Sequence, residues 1–209
     1  MDIEYWNHFY QNNSRCSNIT NPSTFAEFCS DNFLHESKNI VDIGCGNARD
    51  AIYFAHKHHT VYALDQSIDN YILESSNNLP GLKLIKTDFV YDQYDFCKNI
   101  DIFYSRFSIH SISIEGEDYL LPRIYSNLRP GGLFCIEART TNDPKFGIGD
   151  HICNTTYFND GHSRRFIDTQ QFIQKVLSLG FSLKYFNEQN NLSIYKDDNP
   201  VLMRIILEK

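Results

Sequence analysis

From Ile40 to Leu207 short apolar runs alternate with amphipathic segments, and that order decides most of what the chain can fold into. Strand candidates are Ile40 to Ile43, Thr60 to Leu64, Leu82 to Ile85, Ile100 to Tyr104 and Leu133 to Glu137, followed by Phe181 to Phe186 and Val201 to Leu207. Helices are predicted over Asp50 to His58, Glu117 to Leu128 and Asp168 to Leu179; RPGG at Arg129 to Gly132 stops the second and Gly180 the third. Strands separated by helices pair in parallel through right-handed crossovers. The last two have no helix between them and pair antiparallel at one edge. The expected fold class is therefore α/β: a mostly parallel sheet with an antiparallel last strand and helices on both faces. Ahead of it, Thr24 to Glu27 reads as a capping box opening a helix with Phe25, Phe28, Cys29 and Phe33 on one face. Residues 1–37 are expected to form a helical lid or cap and residues 38–209 the main domain, the two making one compact unit.

With 209 residues, 42% of them hydrophobic, the chain has enough apolar surface for one sizeable core. Its start, MDIEYWNHFYQNN, has neither the basic nor the apolar region of a secretory signal, and no apolar run nears the roughly 20 residues that span a bilayer. A cytoplasmic protein is expected, with no membrane partner. A net charge of -7 disfavours nucleic acid and favours small substrates. The 6 cysteines are scattered without a C-x-x-C pair, so reduced thiols are expected rather than a zinc site or a disulfide framework. His56, His58 and His59 fall where a helix ends, a place that suits cations.

Chemistry concentrates around VDIGCGNARD. Gly44 permits a tight turn out of the first strand, and Gly46 lets a ligand approach the backbone ahead of the helix. The dinucleotide fingerprint G-x-G-x-x-G needs a third glycine at position 49, where this chain has Arg49, which speaks against a nicotinamide cofactor. VDIGCGNA closely resembles motif I of class I S-adenosylmethionine (SAM) dependent methyltransferases, with Asp42 as its acid and Ala48 at the frequent third glycine. The resemblance implies a seven-stranded Rossmann-like fold with SAM as cofactor and S-adenosylhomocysteine (SAH) as product. Asp65, about 20 residues on at the end of the second strand, is placed to accept the ribose hydroxyl protons. Asp88 matches the family residue that accepts from the adenine amino group, with Phe89 beside the ring. Gln66 and Ser105 complete the implied set, and Tyr5 and Tyr10 are the candidates for a lid over SAM. Asp50 reads as a solvated first-turn acid.

The acceptor pocket is expected from three segments that follow strand ends: SRFSIH, EARTTNDPKFGIGDH and DGHSRRF. They supply Arg106, His110, Arg139, Lys145, His162, Arg164 and Arg165. Cations gathered at the mouth of an acidic protein suggest a small anionic acceptor, since arginine forks match phosphate and carboxylate. His110 is the candidate base for a neutral hydroxyl, or only orients an acceptor that is already ionised; Arg106, Arg139 and Arg165 are grouped with it as catalytic. No D/N-P-P-Y/F or Pro-Cys sequence of nucleic-acid methylation is present, and SRFSIH lacks the carboxylates of a metal-dependent catechol site. YW-x-x-FY, PSTFA, Y-x-RF-x-x-H, L-R-P-G-G, GHSRRF and YKDDNPVLMRII together resemble small methyltransferases of bacterial surface-polysaccharide clusters. That resemblance implies O-methylation of a glycan precursor or a nucleotide-linked phosphoramidate in capsule biosynthesis. Two further classes stay open, an NAD-dependent oxidoreductase and a catalytically silent SAM-binding module. The oligomeric state is left undetermined.

Overall fold

The apolar runs pair into one sheet in a computed structural model that describes residues 4–6, 8, 21–68 and 79–209. Its strands are β1 (Asn39–Ile43), β2 (Thr60–Asp65), β3 (Leu82–Lys86), β4 (Ile100–Arg106), β5 (Leu128–Arg139), β9 (Ser182–Gln189) and β10 (Leu202–Glu208). They lie in the order β3-β2-β1-β4-β5-β10-β9 as a 7-stranded sheet. β1 to β5 run parallel, and β10 is antiparallel to both β5 and β9. Strand order reverses between β1 and β4, so the carboxyl ends of these two strands flank the crevice where open α/β sheets bind ligands.

Alternation along the strands sends side chains to two cores. On one face Ile40, Val61, Ile102, Cys135 and Ile206 pack against α1 (Thr24–Phe33) and α2 (Arg49–His56). On the other, Val41, Leu64, Phe103, Phe134, Ile136 and Ile205 pack against α3 (Ile114–Asn127) and α4 (Thr169–Ser178). Helices therefore cover both faces. No helix among the described residues is long and apolar enough to cross a membrane.

Three local expectations need correction. The cap of α1 is Ser23, whose Oγ accepts from the Ala26 N–H at 3.1 Å, and not Thr24. Thr24 lies one residue inside the helix, where its hydroxyl donates to the Leu192 carbonyl and accepts from Arg204. RPGG does not separate helix from strand, because Leu128 already pairs with Ile100 and the ladder shifts register before Leu133 meets Ile102. His59 is not a solvated cation at a helix end: it is buried, and its Nδ1 accepts the Lys38 N–H at 3.1 Å. Burial, with Lys38, His58 and Lys57 nearby, pushes its pKa down.

The stretch expected as pocket loops contains a second, 3-stranded antiparallel sheet: β6 (Asp150–Cys153), β7 (Thr156–Asn159) and β8 (His162–Arg165). DHIC and HSRR carry no apolar alternation, which is why periodicity does not find them. The signal that does is Asp160-Gly161, both at positive φ (53° and 83°), the geometry of a tight hairpin turn.

Candidate active site

The strand-to-helix loop after β1 is held from below and from the side. Gly44, at φ 74°, donates its N–H to the Leu64 carbonyl at 2.8 Å, and Cys45 donates to the same oxygen at 3.0 Å. A Cβ on Gly44 would sit 2.5 Å from Cβ of Ser108 and 3.3 Å from the Phe89 ring. Ser108 is fixed there by its 2.6 Å hydroxyl contact with Ser105, which is fully buried. Gly44 thus answers a packing demand as well as a backbone one. Ala48, at φ 59°, takes the left-handed conformation that glycine would adopt more cheaply, a cost on the order of 1 kcal/mol. Its methyl group is fully buried.

Asp65, at the end of β2, ties this loop to the neighbouring strand. Oδ2 accepts the Gly46 N–H at 3.0 Å and Oδ1 the Ser67 N–H at 2.7 Å. Burial raises its pKa, and the two amides pull it back. Each carboxylate oxygen accepts one backbone proton and has capacity for another. Asp42 is buried beneath the loop, its carboxyl pushed well above the usual range by burial and by the charges of Asp50 and Asp65. Asp88 follows β3, and its Oδ1 accepts the Val90 N–H at 3.0 Å. Phe89 is engaged in the core rather than lining an open surface. Gln66 is half-buried beside Asp65.

Asp50 departs from the expected solvated acid. It is buried, its Oδ1 accepts the Ser23 N–H at 2.7 Å, and its Oδ2 accepts from the Ser23 hydroxyl at 2.7 Å and from Tyr104 at 2.8 Å. One carboxylate therefore fastens α1 to α2 and β4.

At the expected acceptor mouth most arginines are already paired. Arg106 donates from Nε to the fully buried Glu137 at 3.0 Å and from Nη2 to Ser193 at 2.9 Å. Arg204, which sequence reasoning missed, donates to the other Glu137 oxygen at 2.7 Å. Arg139 holds Asp143 at 2.9 Å and also Asp198, and Asp198 accepts from Lys145 at 3.2 Å. Arg165 points inward: it donates to Glu117 at 2.6 Å and to the carbonyls of Ile109 and Ile112 at 2.8 and 2.9 Å.

Its neighbour Arg164 takes the opposite face of β8, half-buried beside Arg139, Asp143, Asp198 and Tyr5. Among the described residues no carboxylate lies within ion-pair distance of it, and Nη2 donates to Nε2 of His162 at 2.8 Å. The Tyr5 ring stacks on that imidazole, with centroids 4.5 Å apart and planes at 18°. Tyr10 lies outside the described residues. His110 occupies a 3₁₀ turn (Ile109–Ser111) just past β4, and its Nδ1 accepts the backbone N–H of Arg139 at 3.0 Å. Burial, then the charges of Arg164, Arg139 and Arg165, holds its pKa well below the ordinary 6.5.

Residues 40–132 match the family model described as "Methyltransferase domain". No curated protein sequence matches significantly. Among solved structures, the chain resembles Burkholderia thailandensis 1,6-didemethyltoxoflavin-N1-methyltransferase with a TM-score of 0.73 at 15% identity, covering 99% of this chain and 85% of that one. A SAM-dependent methyltransferase from Clostridium acetobutylicum aligns with a TM-score of 0.68 at 13% identity and 98% coverage of both chains. The glycopeptide N-methyltransferase MtfA, complexed with SAH, aligns with a TM-score of 0.67 at 14% identity over 96% of this chain and 94% of that one. At such identities the likeness is one of fold. The chain thus resembles a methyltransferase domain over residues 40–132, within a fold that it shares with SAM-dependent methyltransferases.

Proposed function

We propose that this protein is a cytoplasmic SAM-dependent methyltransferase that methylates an oxygen of a small anionic or sugar acceptor. The observation that carries the reading is the Asp65 carboxylate at the end of β2 clasping the Gly46 amide of the loop after β1, the strand that borders the strand-order reversal. It sets an acidic pair of oxygens where ribose hydroxyls bind, beside two glycines that leave the backbone open. The residues fit the cofactor. Gly44 and Gly46 allow close approach, Asp65 takes the ribose, and Asp88, with Oδ1 held by its own turn, takes the adenine amino group through its other oxygen. When bound, SAM supplies an electrophilic methyl group on a sulfonium.

The protein's own part in the reaction is positioning. In-line displacement requires the acceptor atom near attack distance and water kept out. Residues 1–37 act as a cap over the domain formed by residues 38–209. The stacking of Tyr5 on His162 supports that reading. Acceptor chemistry is drawn from the segments after β4 and β5 and from β8, with His110 and Arg164 the groups that face it. A glycan precursor or a nucleotide-linked phosphoramidate of capsule biosynthesis fits the sequence resemblance in those segments.

The test is calorimetric binding of SAM and SAH, followed by SAH release and product mass across nucleotide phosphoramidates, nucleotide sugars and free sugars. SAM binding with one added methyl on an acceptor is the expected result. Tight NADH binding without SAM binding overturns the assignment, and SAM binding with no turnover on any acceptor moves the chain to a non-catalytic SAM-binding module.

A further inference from the structure

Both histidines at the acceptor mouth have one ring nitrogen committed to a protein donor. The Arg139 backbone N–H points at Nδ1 of His110, and a backbone amide can only donate. The neutral His110 ring therefore carries its proton on Nε2. The Arg164 guanidinium likewise only donates, so Nε2 of His162 accepts and the neutral His162 ring is protonated on Nδ1. For either imidazole to act as a base, it would have to accept a proton at the nitrogen that already receives a hydrogen bond, and would thereby become a cation beside arginines. His110 is buried and lies under the combined charge of Arg164, Arg139 and Arg165, both of which resist that protonation.

The carboxylates close by do not replace them. Asp143 and Asp198 are both ion-paired to Arg139, and Lys145 together with Arg139 lowers the pKa of Asp198, which makes it a weak base. Glu137 is held between Arg106 and Arg204, and Glu117 between Arg165 and Lys175. What the described part of the mouth offers is one guanidinium without a carboxylate, that of Arg164, and N–H groups around it.

We infer that the acceptor attacks through an oxygen already ionised when it binds, gripped by Arg164 with the Nε2–H of His110 as a second donor. This rests on the methyltransferase reading above and narrows its substrate class to oxyanions, setting aside neutral sugar hydroxyls. The step balances without a base. A lone pair of the anionic oxygen forms the new O–C bond, the methyl C–S bond breaks, its electron pair returns to sulfur, and neutral SAH leaves. No proton is released.

The experiment has two parts. With SAH bound, methyl phosphate and acetate are titrated separately into the wild type and into Arg164→Gln, with trimethyl phosphate as the uncharged control. Binding of either anion, absent for trimethyl phosphate and weakened at least about tenfold in Arg164→Gln, is expected; which anion binds separates a phosphate-type acceptor from a carboxylate. No anion binding, or binding indifferent to Arg164, overturns the inference. For any acceptor turned over, proton release is counted against SAH at about pH 8, where a phosphate monoester is fully ionised. Zero protons per SAH is expected, and one proton per SAH overturns the inference while leaving methyl transfer intact. Loss of SAM binding in the wild type would instead remove the methyltransferase reading itself.

Discussion

The backbone N–H of Arg139 donates to Nδ1 of His110 at 3.0 Å, joining the end of β5 to the turn that follows β4. A buried imidazole in this position is neutral, with its pKa well below the 6.5 of an exposed ring. In the unfolded chain the same ring takes up a proton near that ordinary value. Below it the unfolded state binds more protons, so this group's contribution falls as pH drops. His110→Asn keeps an acceptor for the amide and removes the titration. Melting temperatures of the two proteins, compared from about pH 7.5 down to about pH 5.5, should show the wild type losing ground to the variant. A pH-independent difference would contradict a neutral buried ring.

Asp65→Ala removes the acceptor of both the Gly46 and the Ser67 amides along with the proposed ribose contacts. SAM affinity should fall by about 1.5–3 kcal/mol, roughly ten- to a hundredfold in Kd. Titration calorimetry reads this directly, and an unchanged Kd would count against the cofactor site.

Gly44→Ala places a methyl group 2.5 Å from the Ser108 Cβ at a φ of +74°. Overpacking and left-handed strain together should cost at least about 2 kcal/mol. Adding Ser108→Gly removes the clashing carbon and should restore part of that loss in urea denaturation, but not the strain. If the second change gives no recovery, the clash is not the cause.

Glu137 is fully buried and receives hydrogen bonds from Arg106 at 3.0 Å and Arg204 at 2.7 Å. Glu137→Gln leaves two guanidinium groups facing a neutral amide, and breaking a buried ion pair on one side typically costs about 3–5 kcal/mol. Equilibrium unfolding should show a loss of that order. A loss under about 1 kcal/mol would mean that solvent reaches these arginines.

The sheet was legible because each central strand is a short apolar run that ends in glycine or a turn, with Ile40 to Ile43 the clearest. The loop after β1 is legible because its glycines and Asp65 are demanded by local backbone geometry, and local demands leave sequence patterns. The acceptor side was less so. Composition shows that arginines gather after the strand ends, but not which carboxylate each meets. Glu117 reaches Arg165 across 48 residues and Glu137 reaches Arg204 across 67. Pairings at that separation are created by topology, so an apparently basic mouth came out largely neutralised. The burial of Asp50 leaves no local sequence signal for the same reason: its partners Ser23 and Tyr104 are 27 and 54 residues away.

Adjacent residues of β8 face opposite ways, Arg165 pinned inside against Glu117 and Arg164 turned toward the mouth. The hairpin is therefore read in steps of two. Losing or gaining one residue in the body of β8 would exchange the two arginines, presenting to the mouth the position meant for the interior and leaving Glu117 without its partner. A change of two residues in the Asp160-Gly161 turn keeps the phase. Natural length variation in this hairpin should accordingly come in even increments, and an odd one should mark a relative that recognises its acceptor by other means.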